Sequence, residues 1–366
     1  MIKQIPSIRP ETWSDAAVRE TGALLESKRF NHVQTRNILE ELNKRLVIAK
    51  EFDLYDPHRI NPLHLKSKYA ISDEFSVSPA ASVHCLTLAP EGKMLIGSDL
   101  GLSVWNPGRS GYEIDSDLKL QTGIRKVRHL QCLPDGSFLM STSGALELWA
   151  RRDSQWVYEE IVKNPRGFRA TPDGALYVSN STGSFEVFRK SDAGYESERE
   201  CITPTSLGDH IFDLSTELIA CTVEDSGDIC LCHREADGSW SAMGKDVDGM
   251  AVWCIRPYLD GQFVTCGHDG SLKIWSLRGE NMKLEARLAG HSDMVVECQV
   301  FRDGRIMSLS EDKTIRLWSK NADNKWKGET IIELDTLPQC FQVLPKGQIV
   351  VGSTQGKVQI FDEVAK

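Results

Sequence analysis

The sequence predicts an all-β fold: a seven-bladed β-propeller of four-stranded antiparallel blades, with a short α-helical N-terminal extension. Three observations lead there. An anchor residue, usually aromatic, closes a recurring unit at Trp105, Trp149, Phe188, Cys232, Trp275, Trp318 and Phe361, with spacings of 44, 39, 44, 43, 43 and 43 residues. Two glycine-containing turns precede most anchors in register. The last unit stops five residues after Phe361, too soon to supply its own outer strand. A period of this length, built from short strands, is the pattern of a propeller blade. A single blade cannot bury both faces of its sheet; stacking neighbours in a ring does so.

Residues 1–65 read differently. Ser14 to Glu20 follows Pro10 and looks like a capped helix start, and Val33, Leu39, Leu42 and Leu46 recur at near-helical spacing. The two prolines between Asp53 and Pro62 end that pattern. The expectation is a helical extension that packs on the propeller or docks a partner. Residues 66–366 form the propeller, beginning with the strand-like run Ser67 to Phe75. That run is expected to pair beside the strand ending at Phe361 and close the ring with chain ends in one sheet.

Inside each unit the first turn carries dipeptides such as Glu91-Gly92, Asp135-Gly136 and Asp303-Gly304, with the glycine 13 or 14 residues before the anchor. These are hairpin signals, because glycine accepts positive φ. A second glycine, such as Gly101, Gly144 or Gly270, lies four or five residues before the anchor. Two tight turns therefore separate three strands, and a more variable fourth strand follows the anchor. Trp156, Trp240 and Trp326 fall in three of those fourth strands.

These residues resemble the WD-repeat family of seven-bladed propellers. The best copy runs from Gly290-His291 through Asp312 to Trp318. The resemblance implies a hydrogen-bonded structural tetrad of His291, Ser308, Asp312 and Trp318, in which a turn carboxylate takes its donors from His and Ser. The preceding unit keeps Thr265, Asp269 and Trp275, with Asp248 at the His position. The first keeps Asp99 and Trp105, with Leu95 at the Ser/Thr position and Ser78 at the His position. The remaining four lack the turn Asp.

Composition narrows the function. Net charge is −9, with 33 basic and 43 acidic residues in 66–366, so a nonspecific nucleic-acid binder is not expected. No stretch of eighteen apolar residues or secretory h-region occurs, so no membrane partner is expected, and the ten scattered cysteines without a CxxC pair fit reduced thiols in the cytoplasm. No phosphate-binding glycine loop, GxSxG elbow or HExxH motif is present, and no cofactor or metal is expected. His291-Ser292-Asp293 are adjacent, and their diverging side chains are poorly placed for a catalytic triad.

The expected function is a noncatalytic scaffold that binds a protein or peptide partner through one propeller face. The resemblance implies that the position before the turn Asp contacts ligands. Counting seven back from each anchor gives Ser98, Thr142, Ser181, Asp225, His268, Glu311 and Thr354. Asp225, His268 and Glu311 fall on consecutive units and suggest a mildly electronegative arc for partners with basic segments. Lys126, with Arg125 and Arg166, suggests a basic counter-patch. Two other readings stand beside this one. A cullin-type ubiquitin-ligase substrate receptor would suit the Trp275-Ser276-Leu277-Arg278 run, although Ser276 replaces the acid of that motif. A channel-located enzyme would leave no linear motif.

Overall fold

The computed structural model describes residues 69–364, other than 80, 90–91, 109–110, 116–124, 154, 172–173, 181–183, 192–193, 203–206, 216–217, 224–227, 236–238, 246–250, 279–280 and 346. The expected N-terminal helical extension lies outside the described residues. Seven four-stranded antiparallel sheets follow one another. The inner strands of blades 1 to 7 are Val83–Leu88, Val127–Cys132, Gly167–Ala170, Leu207–Ser215, Val252–Pro257, Val295–Val300 and Pro338–Val343. No helix among the described residues is long and apolar enough to cross a membrane.

Burial falls from the inside of each blade outward. The second strand is buried at every position in blades 1, 2, 3, 6 and 7, as in Met94–Ser98 and Ile306–Ser310. Burial at every position, rather than at alternate ones, follows because each blade is covered on both faces. Outer strands such as Gln155–Lys163 are largely exposed. The core is divided accordingly. Among the described residues, seven buried clusters each draw on two neighbouring blades; Met307, Leu309 and Leu317 of blade 6, for example, meet Phe341, Ile349 and Val351 of blade 7.

Neighbouring inner strands diverge and cannot share a full ladder, so side chains bridge them. The Gln131 amide donates to Ala170 O and accepts from Ala170 N at 2.7 and 2.9 Å. Glu297 accepts from Phe341 N at 3.1 Å, and Gln299 donates to Phe341 O at 3.3 Å. Each pair of bonds imitates one rung of a sheet.

Blade 7 takes its fourth strand from the other end of the chain. Tyr69–Ser76 pairs antiparallel with Lys357–Glu363, from Tyr69 opposite Glu363 to Ser76 opposite Lys357. Phe75 stacks on Trp105 of blade 1 with centroids 4.0 Å apart, and Glu74 binds Lys357 Nζ at 2.8 Å. Gly356 fixes the turn beneath this seam. Its φ is +70°, its carbonyl accepts from Val77 N at 2.9 Å, and an added Cβ would collide with the carbonyls of Ser78 and Ala81. Gly356→Ala is therefore expected to destabilise by about 1–3 kcal/mol. Gly144→Ala, where an added Cβ meets nothing within 4 Å, should change stability little. Denaturant titration of both variants checks the difference.

Candidate partner-binding face

Antiparallel blades sort their connections by face. Turns between second and third strands lie on the same face as the connections between blades, and the other hairpin turns lie on the opposite face. Backbone bonds tie the first set together: the amides of Asp99, His268, Glu311 and Thr354 donate to the carbonyls of Ser82, Ala251, Met294 and Leu337 at 2.9–3.1 Å. Those four residues share one register on the rim of the face. Ser98, Thr142, Ser310 and Ser353 sit one step deeper, where their hydroxyls accept turn amides at 3.1–3.4 Å.

This register corrects the count made from the anchors. Ser98 pairs directly with Gly101 in blade 1, and that turn is one residue shorter than the turn of blade 6. Asp99 therefore occupies the rim position and Ser98 is buried; Thr142 is buried in the same way. The residue at the level of Ser308 is Ile96, not Leu95. His84 rather than Ser78 meets the blade 1 carboxylate.

The four residues Trp318, Ser308, His291 and Asp312 make one chain of bonds. The Trp318 indole donates to Ser308 Oγ at 2.8 Å, Ser308 bonds His291 Nε2 at 2.7 Å, and His291 Nδ1 bonds Asp312 Oδ2 at 2.8 Å. The network assigns a neutral imidazole with its proton on Nδ1, since Ser308 already accepts from Trp318 and donates onward. Burial pushes the Asp312 carboxyl up, but hydrogen bonds from Thr314 and His291 outweigh it and hold it below its ordinary value. Burial lowers His291, against the pull of Asp312.

Other blades solve the same problem with different residues. Trp275 donates to Thr265 at 2.9 Å, and Asp269 binds Lys273 and Arg287, each at 3.0 Å. Trp149 donates to the buried carboxylate of Glu147, whose other oxygen binds Arg125 at 2.9 Å. Trp105 uses Ser103 at 3.0 Å. The Asp248 position lies outside the described residues.

On the rim, His268 is exposed and Glu311 is half-buried, and both stand in the register just defined. Asp225 lies outside the described residues. Lys126 joins a different group: its Nζ is 3.2 Å from Asp99 Oδ1, and His84 Nε2 is 2.8 Å from the same oxygen. The hydrogen bond from His84 leads in holding the Asp99 carboxyl far below its ordinary value.

The inner strands also bring forward residues that sequence reasoning missed. Each strand except blade 3's carries an irregularity near its start, and His84, Arg128, His210 and Trp253 occupy it. The rings of His129 and His210 meet edge to face at 5.5 Å between centroids. His210, Trp253 and His268 continue that line at 6.1 and 6.0 Å, and Trp253 is 39% exposed. A signal existed, since Trp253 and its equivalents Val296 and Gln339 are spaced 43 residues apart.

Metal-ligand chemistry is concentrated elsewhere. The Sγ atoms of Cys254, Cys266 and Cys298 lie within 4.8 Å of one another, between blades 5 and 6. The three sulfurs are buried in the apolar cluster between these blades, with Cys254 and Cys298 Sγ 3.8 Å apart. All ten cysteines are free.

Comparison with known proteins agrees with this geometry. The family model "WD domain, G-beta repeat" matches residues 245–276 and 282–319, the repeats of blades 5 and 6. The WD40 propeller domain of Doa1 superposes with a TM-score of 0.62 at 16% identity, covering 82% of this chain and 98% of that one, which speaks for the fold. The chain folds as a seven-bladed β-propeller, and its fifth and sixth blades match the WD-repeat family. Among curated proteins it is 30% identical over 174 residues to the protein transport protein sec13 of Aspergillus fumigatus, covering 41% of this chain and 56% of that one. It is 32% identical over 115 residues to the ubiquitin homeostasis protein lub1 of Schizosaccharomyces pombe, covering 30% of this chain and 14% of that one. The matches thus span about half of the first relative and about a seventh of the second.

Proposed function

We propose that this protein is a noncatalytic, cytoplasmic interaction scaffold that captures a protein or peptide partner on the face carrying Asp99, His268 and Glu311. The observation that carries this reading is the exposed Trp253 ring, set beside His268 among charged rim residues. A rigid aromatic surrounded by polar groups is the composition of a binding hot spot. The partner carries basic segments, which the acids Glu311 and Asp225 attract over a low-dielectric surface. Of the relatives, one is named for protein transport and the other for ubiquitin homeostasis.

The test is capture of partners from native cytosol by wild type and by Asp225→Lys combined with Glu311→Lys, at low and high salt. Exposed charges are individually weak, so each single change should matter little and the double change more. The double variant is expected to retain less partner and to lose part of its salt dependence. Equal retention and equal salt response would place the functional surface elsewhere.

A further inference from the structure

We propose that the inner mouth of this face is an oxyanion site, which takes one carboxylate or phosphate group carried by a partner peptide and holds it with Arg128, His129 and His210. The inference rests on the reading of this face as the partner surface and adds the chemistry of one residue that the partner must bring.

Two buried polar atoms have no partner there. Arg128 Nε and His129 Nδ1 are sealed from solvent, and neither makes a hydrogen bond among the described residues. Native structures rarely leave such an orphan without a bound water, ion or ligand group to meet it.

The charges around the mouth point to the sign of that group. Nearby cations on the inner strands and rim have their own carboxylates. Arg169 has Asp213, Arg256 has Glu297 at 3.3 Å, and Lys126 shares Asp99 with His84. No carboxylate among the described residues pairs with Arg128. Burial first, then His210, Arg128 and His84, push the His129 imidazole down to about 3. The neighbours acting on that ring are thus cationic or imidazole groups, and an anion is the missing member. Guanidinium and imidazole N–H groups are the donors that carboxylate and phosphate oxygens select.

Geometry ties the two imidazoles to the rim. The inner strand of blade 3 begins with Gly167, which puts no side chain at that point between the imidazoles of blades 2 and 4. From His210 the stack continues through Trp253 to His268 on the rim. A peptide lying on the exposed indole would deliver a short acidic or phosphorylated side chain to Arg128, with its basic segments over Glu311.

The test needs no knowledge of the partner. Histidine side-chain NMR follows the imidazoles of the full chain in sodium phosphate, sodium acetate and sodium chloride at matched ionic strength, with His129→Gln assigning the signal. Phosphate is expected to raise the His129 pKa by about 1–3 units over chloride, as an opposite charge at contact does. A response to acetate as well would show that a carboxylate suffices; a response to phosphate alone would make the group a phosphate. Arg128→Gln should weaken phosphate binding at least tenfold, and Arg128→Lys should retain part of it. Identical His129 titration in all three salts would overturn the site, and so would unchanged phosphate binding by Arg128→Gln. Phosphate should also displace the captured partner; occupancy without displacement would overturn the assignment of the anion to the peptide. Because the titration uses the isolated protein, loss of partner capture on its own leaves the anion site standing.

Discussion

Asp312→Ala is expected to destabilise the propeller by about 2–4 kcal/mol, the range for breaking a buried polar network. The carboxylate accepts from His291, Thr314 and the Ser292 amide at 2.7–3.1 Å, and its side chain is only 6% exposed. Its loss strands His291, whose side chain is fully buried, and through it Ser308 and Trp318. Asp303→Ala, in an exposed hairpin turn, should cost clearly less, because its partners are its own turn neighbours. The difference should also depend on pH. A carboxyl held below its unfolded value of about 3.9 contributes fully above that pH, and the contribution is lost as pH falls through the lowered folded value. Wild type and variant should therefore converge in stability on acidification below about pH 4. Urea titration at neutral and acid pH measures this; equal effects of Asp312→Ala and Asp303→Ala would show that the bonded chain contributes nothing special.

Removing the closing strand is the second large effect. A chain beginning at residue 67 retains Tyr69–Ser76, whereas one beginning at residue 80 does not. The shorter chain is expected to expose the edge of Lys357–Glu363 and the face of Trp105 that Phe75 covers. An unpaired edge beside an uncovered aromatic is a template for association. The longer chain should elute as a single species and melt cooperatively; the shorter one should aggregate. A soluble, cooperatively melting shorter chain would show that closure does not depend on this strand.

Much of this fold is legible in the sequence because a blade repeats one physical problem at a fixed spacing. Anchors such as Trp275 and Trp318 close equivalent strands, and turn glycines such as Gly304 take φ near +82° where the spacing asks for it. The site is less legible. A turn shortened by one residue in blade 1 moves Asp99 to the rim, and a count taken from Trp105 cannot detect that. The polar roles of the other blades migrate between positions: Glu147 and Lys273 do work that Ser308 and His291 do in blade 6. The line of rings from His129 through His210 and Trp253 to His268 joins blades 2, 4 and 5. His84, His129 and His210 are far apart in sequence and share no spacing that a single chain reveals. The expected helical extension of residues 1–65, and Asp225, lie outside the described residues.

Partners are expected to dock on the face bearing His268 and Glu311. Site-specific photo-crosslinking in native cytosol tests it most directly. A photoreactive residue is placed in turn at His268, Glu311, Asp303 and Asp323, the last two being in hairpin turns of the opposite face. The same partner is expected to crosslink from His268 and Glu311 and from neither of the others. Crosslinks that arise only from Asp303 and Asp323 would contradict it.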